Sequence, residues 1–183
     1  MACDTIKLMN QIEKLILFIL DRAKKMGIND LSRFQLFKIS YLIQVESIKY
    51  TGAPFISGLG FTRDENGPIS TDIYTGVDSL VREGYIHIET SKTEGYEYRR
   101  CGHSLSKEIP DLGFSTGETV FLDGLLSEIL CLSQRKLKAY AYNTEPMIDI
   151  TSREGGSVIK GVSIDFSKVL VDPDIVDTYA DAI

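Results

Sequence analysis

Few side chains in this 183-residue sequence have the chemistry of a catalytic or metal site. The two histidines are His87 and His103, and only His103 has a cysteine close by, in Cys101-Gly102-His103. A zinc site needs three or four ligands at recognisable spacing, and no second Cys/His pair exists. A thiol and an imidazole separated by one residue seldom reach the geometry of a nucleophile and its base. We therefore predict no metal, no cofactor and no catalytic residues.

Carboxylates are more numerous, but their spacing is no more specific. Those near the C-terminus lack the glycine and terminal glutamate of a calcium loop, and the dipole of a helix N-terminus explains aspartates there. They are Asp172, Asp174, Asp177 and Asp181. The sequence therefore favours a protein without an active site. An enzyme whose site is assembled from distant residues remains a third interpretation, behind the protein-binding and DNA-binding interpretations below.

The charge balance is acidic, with 26 Asp and Glu against 20 Lys and Arg and a net charge of -6. Because nucleic-acid binding depends on neutralising phosphates, this balance argues weakly against it, although a local basic patch could override the average. The three cysteines are far apart and odd in number, which favours a reducing cytoplasm over a disulfide framework.

The apolar runs are short. The N-terminal residues have no basic region leading into an apolar one, so they do not form a signal peptide. The run from Leu15 to Leu20 has only six residues and is flanked by charge, which is too short to span a membrane. We expect a cytoplasmic protein with no membrane association.

The apolar periodicity predicts that helices open the chain. The first should run from Thr5 to Met26, with Gly27 as its C-terminal cap. The second should start at Ser32, because Ser32 and Gln35 fit a capping box.

Lys38, Tyr41 and Gln44 are spaced three apart on the second helix and form a polar and aromatic stripe. One interpretation is a solvated flank in which the Tyr41 ring is half buried. The other is a contact surface for a partner. Spacing alone favours the solvated flank.

The dipeptide Gly67-Pro68 predicts the start of a third helix, because proline is tolerated in the first turn. The charged run Arg63-Asp64-Glu65 just before it is expected to be solvated. Gly84 should close this helix.

A winged-helix element is predicted after the third helix. The segment 85–90 alternates like a strand, a turn is expected around Thr93-Glu94-Gly95, and a second strand ends in Arg99 and Arg100. These arginines are possible nucleic-acid contacts. The third helix carries Asp72 and Asp78 on its polar face, a poor surface for phosphates. A protein-binding module is therefore favoured, and a winged-helix DNA-binding transcriptional regulator is the alternative.

The remaining chain predicts helices over 118–132 and 133–142, and one or two short strands over 157–166. The expected fold is mainly α, in the α+β class: a helical domain with a winged-helix-like helix plus β-hairpin and short C-terminal strands. Residues 1–150 should form one helical domain, with 151–183 as a C-terminal extension packed on it.

The order of motifs resembles the Panacea domain family of SocA-like, phage-associated GepA-like proteins. That pattern has a helix with spaced Lys, Tyr and Gln, a Gly-x-Pro loop, a Gly-Pro step into a helix carrying Tyr, and a closing helix with Leu that is followed by a segment with Thr and Pro. The matching residues here are Lys38, Tyr41, Gln44, Gly52, Pro54, Gly67, Pro68, Tyr74, Leu137, Thr144 and Pro146. The closing motif has neither the family's His nor its Trp.

The resemblance implies an antitoxin that neutralises a toxin protein, encoded nearby, by direct binding rather than by catalysis. It assigns motif or partner-binding roles to Lys38, Tyr41, Gln44, Gly67, Pro68 and Tyr74. It also implies that these residues frame a constant core, while the added N- and C-terminal segments select the partner.

Overall fold

The computed structural model describes residues 9–92 and 99–172, with the backbone alone for 90–92 and 99–101. The helices are α1 (Gln11–Lys25), α2 (Arg33–Thr51), α3 (Thr71–Arg82), α4 (Thr116–Ile129), α5 (Gln134–Tyr142) and α6 (Glu145–Thr151). The strands are β1 (Leu31–Ser32), β2 (Thr62–Asp64), β3 (Gly67–Ile69), β4 (Ile86–Lys92) and β5 (Arg99–Leu105). With 52% helix and 11% strand, the predicted mainly-α, α+β class is confirmed.

Helix α2 lies at the centre of the fold. It begins with the predicted capping box, in which Ser32 Oγ accepts the Gln35 N–H and Gln35 Oε1 accepts the Ser32 N–H. It ends at Gly52, whose φ of +73° is left-handed. Apolar side chains occur on every face of this helix, and all residues over 36–48 are buried. A helix that is apolar all round packs inside a protein.

Helix α1 starts later than predicted. Asn10 Oδ1 accepts the Glu13 N–H and Glu13 Oε2 accepts the Asn10 N–H, so a capping box fixes the first helical residue at Gln11 rather than Thr5. Thr5 itself lies outside the described residues. The predicted end is confirmed, because Met26 caps the helix and Gly27 follows with a φ of +78°.

The predicted order of a helix followed by a β-hairpin is confirmed. Helix α3 leads directly into the β4–β5 hairpin, and β5 lies between β4 and β1, the strand before α2. The predicted turn at 93–95 lies outside the described residues. Arg99 and Arg100 pair along the backbone with Lys92 and Ser91, and their side chains also lie outside the described part.

The prediction that Gly67-Pro68 opens α3 is wrong. Gly67 and Pro68 belong to β3, which forms a hairpin with β2, and Glu65 and Asn66 connect the two strands. Gly67 has a φ of +101°. A tight hairpin turn uses a glycine with positive φ, whereas the start of a helix does not. Helix α3 is instead capped by Ser70, whose Oγ accepts the Ile73 N–H.

The segment after α6 runs beside β2. The chain expected to form strands over 157–166 makes one bridge pair, Ser163 with Thr62, and flanking hydrogen bonds to Phe61 and Arg63. A single 3-10 turn, Phe166–Lys168, follows. Helix α6 itself was not predicted, although Pro146 stands in its first turn, where proline is tolerated.

The helices of the described ranges are too short or too polar to cross a bilayer. The longest, α2, carries Arg33, Lys38, Glu46 and Lys49. Its burial therefore comes from the protein around it.

Candidate functional site

The stripe on α2 is buried. Lys38, Tyr41 and Gln44 are each at most 1% exposed, so neither the solvated flank nor the contact surface predicted for them is correct. Each polar group instead has a partner from another part of the chain. The three side chains therefore act as tethers, by which we mean buried hydrogen bonds from α2 that hold other segments of the chain in place.

Lys38 holds the β2–β3 hairpin. Its Nζ donates a hydrogen bond to the Pro68 carbonyl at 3.0 Å and lies 4.5 Å from the centre of the Phe34 ring. A β-carbon on Gly67 would lie 3.1 Å from Lys38 Cε and 2.8 Å from Tyr142 Cε2. Gly67 therefore allows the hairpin to approach α2 and α5 closely.

Tyr41 holds the junction between α5 and α6. Its hydroxyl lies 2.6 Å from Thr144 Oγ1, and the Thr144 hydroxyl donates to the Ala141 carbonyl at 2.7 Å. Because Thr144 gives its proton to Ala141, Tyr41 is the donor to Thr144. Burial raises the pKa of Tyr41, which keeps the hydroxyl neutral and able to donate. Its ring packs against Phe61 and Phe166.

Gln44 holds the loop that follows α2. Its Oε1 accepts the Ile56 N–H at 3.0 Å, and its Nε2 donates to the Ile56 carbonyl at 3.4 Å. One side chain thus satisfies both backbone groups of a buried loop residue. The loop begins at Gly52-Ala53-Pro54, so Gln44 fixes the segment next to the Gly-x-Pro sequence.

Arg63 is buried, not solvated as predicted. It is 2% exposed and pairs with Glu154 through Nε–Oε1 at 3.0 Å and Nη2–Oε2 at 3.2 Å. Its guanidinium also lies 5.2 Å from the centre of the Tyr142 ring. The hydrogen bonds from Arg63 hold the pKa of Glu154 below its usual range. This pair joins the hairpin to the chain after α6.

Tyr74 lies apart from these tethers. It is half buried on α3, accepts a hydrogen bond from Arg33 Nη1 at 3.2 Å, and its ring lies 4.6 Å from the Arg33 guanidinium and 4.8 Å from the Phe37 ring. It therefore connects the start of α2 to α3. The structure brings Lys38, Gly67 and Pro68 together and leaves Tyr74 outside their cluster.

The amine of Lys38 has unusual electrostatics. Burial, followed by the positive charge of Lys138, lowers its pKa to about 7, against a smaller opposing effect from Asp64. A partly neutral amine is a nucleophile or a base in many enzymes. This amine is enclosed on all sides and bonded to the Pro68 carbonyl. We therefore assign it a structural role.

The histidines differ in environment. His87 is exposed on β4. His103 is buried, and its Nδ1 lies 3.0 Å from the Leu31 carbonyl, linking β5 to β1. Burial lowers the pKa of His103. Among the side chains that the structure describes, over 9–89 and 102–172, no group of three His, Cys, Asp or Glu is placed to hold a metal ion.

Comparison with protein-family models, curated proteins and solved structures gave no match. The resemblance described above therefore rests on the motif residues themselves.

The four motifs are separate along the sequence, but in the fold the first one contacts the other three. Lys38 bonds Pro68, Tyr41 bonds Thr144, and Gln44 bonds the loop after Pro54. Thr144, Ile56 and Glu154 were not predicted as partners, since 12 to 103 residues separate them from the groups they bond.

Replacing Gly67 tests the close approach of the hairpin. Gly67→Val should lower the free energy of unfolding by at least about 2 kcal/mol, because a β-branched residue is strained at this φ and its β-carbon would overlap Tyr142. Pro68→Ala should change it by less than about 1 kcal/mol, because the carbonyl that Lys38 uses is kept. Urea unfolding measures both. Equal stability of the two variants would contradict the close approach of the hairpin to α2 and α5.

Replacing Lys38 tests the buried amine. With a folded pKa near 7 and an unfolded pKa of 10.5, the unfolded chain binds more protons between these values, so the stability of the wild type should rise with pH there. From pH 7 to 9 the gain relative to Lys38→Met should be about 2 kcal/mol. Urea midpoints of both proteins across this range provide the measurement. Parallel pH profiles would show that the Lys38 pKa is not lowered.

Proposed function

We propose that this chain is a non-catalytic protein-binding module, an antitoxin-like protein that neutralises a partner toxin by direct binding. One observation carries the proposal. The polar residues of the motif that resembles Panacea domains are used inside the fold, where Lys38, Tyr41 and Gln44 tether three other segments. Because these residues are buried, they cannot contact a partner themselves. Their role in the proposal is to fix the segments whose exposed residues bind the partner.

The charge distribution favours a protein partner over nucleic acid. The net charge is -6, and Asp78 is exposed on α3, the helix that would face a DNA groove in a winged-helix protein. The Asp72 carboxylate lies on the same helix and accepts the Gly60 N–H at 3.4 Å. Two carboxylates on one helix repel phosphates.

A DNA-binding regulator is the second candidate. The observation that favours it is the order of elements, with α3 directly before a hairpin and β5 between β4 and β1. Arg33 and Arg82 are exposed near this element. A salt-dependent mobility shift with the DNA upstream of its own gene would support this function over the first.

Co-expression with the gene encoded beside this one tests the proposal. The neighbour alone should stop growth, and co-expression of this chain should restore it, because a bound toxin is inactive. A pull-down from the same cells should recover the two proteins together. Lys38→Met should also restore growth at temperatures where it is folded, because the proposal gives this amine no chemistry.

The outcomes separate the interpretations. A neighbour that is harmless, or a wild-type chain that restores growth without binding it, contradicts direct neutralisation. Loss of rescue in a folded Lys38→Met protein would favour an enzyme. The matched control is Gly67→Val. Its ability to restore growth should fall in proportion to the amount of folded protein that remains.

A further inference from the structure

Exposed apolar side chains concentrate in the chain after α5. Among the described residues, five of the seven large apolar side chains that are exposed lie between positions 148 and 171. They are Ile148, Val158, Ile159, Leu170 and Val171, and the other two are Met26 and Val120. Isolated exposed apolar residues are ordinary, whereas a contiguous apolar patch marks a contact surface. Of the five, Val171 lines an apolar groove.

One end of this segment borders an apolar groove of about 550 Å³. The groove lies between the loop after α2 and the chain around the 3-10 turn, and its walls include Ile48, Pro54, Leu59, Gly60, Phe166 and Val171. Its walls are held in place by contacts already described, since Gln44 fixes Ile56 and the Phe166 ring packs on Tyr41. The Asp172 N–H bonds the Lys49 carbonyl. The groove is therefore preformed, which lowers the cost of filling it.

The rim of the groove carries more negative than positive charge. Asp72 bonds Gly60, and Asp165 stands beside Phe166, where hydrogen bonds from Ser167 hold its pKa below the usual range. Asp172 follows Val171.

Two lysines lie near these carboxylates. Lys168 is exposed, and its positive charge makes a small contribution to the lowered pKa of Asp165. Lys49 pairs with Glu46 at 3.1 Å. An apolar groove with this rim matches a segment in which apolar side chains alternate with basic ones.

We propose that this groove binds a segment of a protein partner that carries apolar side chains beside lysine or arginine. The proposal rests on the function proposed above, because it locates the surface that a protein partner uses. It assigns the apolar side chain to the groove between Leu59 and Val171, and the basic groups to the carboxylates of Asp165 and Asp72. Neither a second copy of this chain nor its own residues 173–183 is the proposed occupant.

The test uses a short synthetic peptide of leucine and lysine, and a counterpart with glutamate in place of lysine. The blocking variant is Gly60→Leu, because Gly60 lines the groove, its φ lies outside the left-handed region and no atom lies within 4 Å of an added β-carbon, so the backbone accepts a larger side chain at the groove without strain. The matched control is Gly124→Leu, at an equally open position on α4. Calorimetry on the full chain measures binding.

We expect the lysine peptide to bind the wild type and Gly124→Leu with affinities within about twofold, and Gly60→Leu at least about tenfold more weakly. The glutamate peptide should bind at least about tenfold more weakly than the lysine peptide. Absence of binding, equal binding of the two peptides, or no effect of Gly60→Leu would overturn the proposal.

Two further results would also overturn it. One is dissociation of a dimer by Gly60→Leu in sedimentation, which assigns the groove to a second copy. The other is a shift in the NMR signals of residues 173–183 of the free protein on the same substitution, which assigns it to the chain's own C-terminal segment. In the growth assay, restored growth with both the wild type and Gly60→Leu would support direct neutralisation and would show that the groove is not the surface that binds the toxin. Failure of the wild type would instead contradict the proposed function, while the peptide measurement still decides the groove.

Discussion

Helix α2 has almost no exposed side chain along its central turns, so a polar group there can only be satisfied by a partner within the protein. Lys38, Tyr41 and Gln44 each have such a partner, whereas the Ser40 hydroxyl has none among the described contacts. An unpaired buried polar group costs about 1–3 kcal/mol. The partners come from the hairpin, the α5–α6 junction and the loop after α2. Because Lys38, Tyr41 and Gln44 are three residues apart on one helix, the positions of these three segments are set relative to each other by a single rigid element.

The surface proposed to bind a partner is built on those same segments. The loop held by Gln44 forms one wall of the groove, and the chain that contributes Phe166 to the other wall packs against Tyr41 and is joined to the hairpin through Arg63 and Glu154. A framework that holds several loops can keep its interior while the exposed residues on those loops change. This arrangement fits a protein whose buried motif is separate from the surface that selects its partner.

The sequence predicted the local structure where the signal was local. The Ser32–Gln35 capping box and the helix-hairpin order after α3 are short-range patterns, and both were confirmed. The hairpin was missed, although a glycine after Asn66 between two short extended runs is a known turn signal. The burial of Lys38 was not predicted, because three polar residues at helical spacing indicate an exposed stripe. The apolar residues on every face of α2 were the signal that the whole helix is buried. The Tyr41–Thr144 bond spans 103 residues, and no single sequence pattern indicates it.

Hydrogen exchange of the Ile56 amide tests the central claim, that buried polar groups of α2 hold the surrounding chain. This N–H lies outside helices and strands and bonds only to the Gln44 side chain among the described contacts. The account predicts that it exchanges as slowly as the central amides of α2, through opening of the same unit. Exchange at the rate of an ordinary exposed loop would contradict the tether and the preformed groove that depends on it.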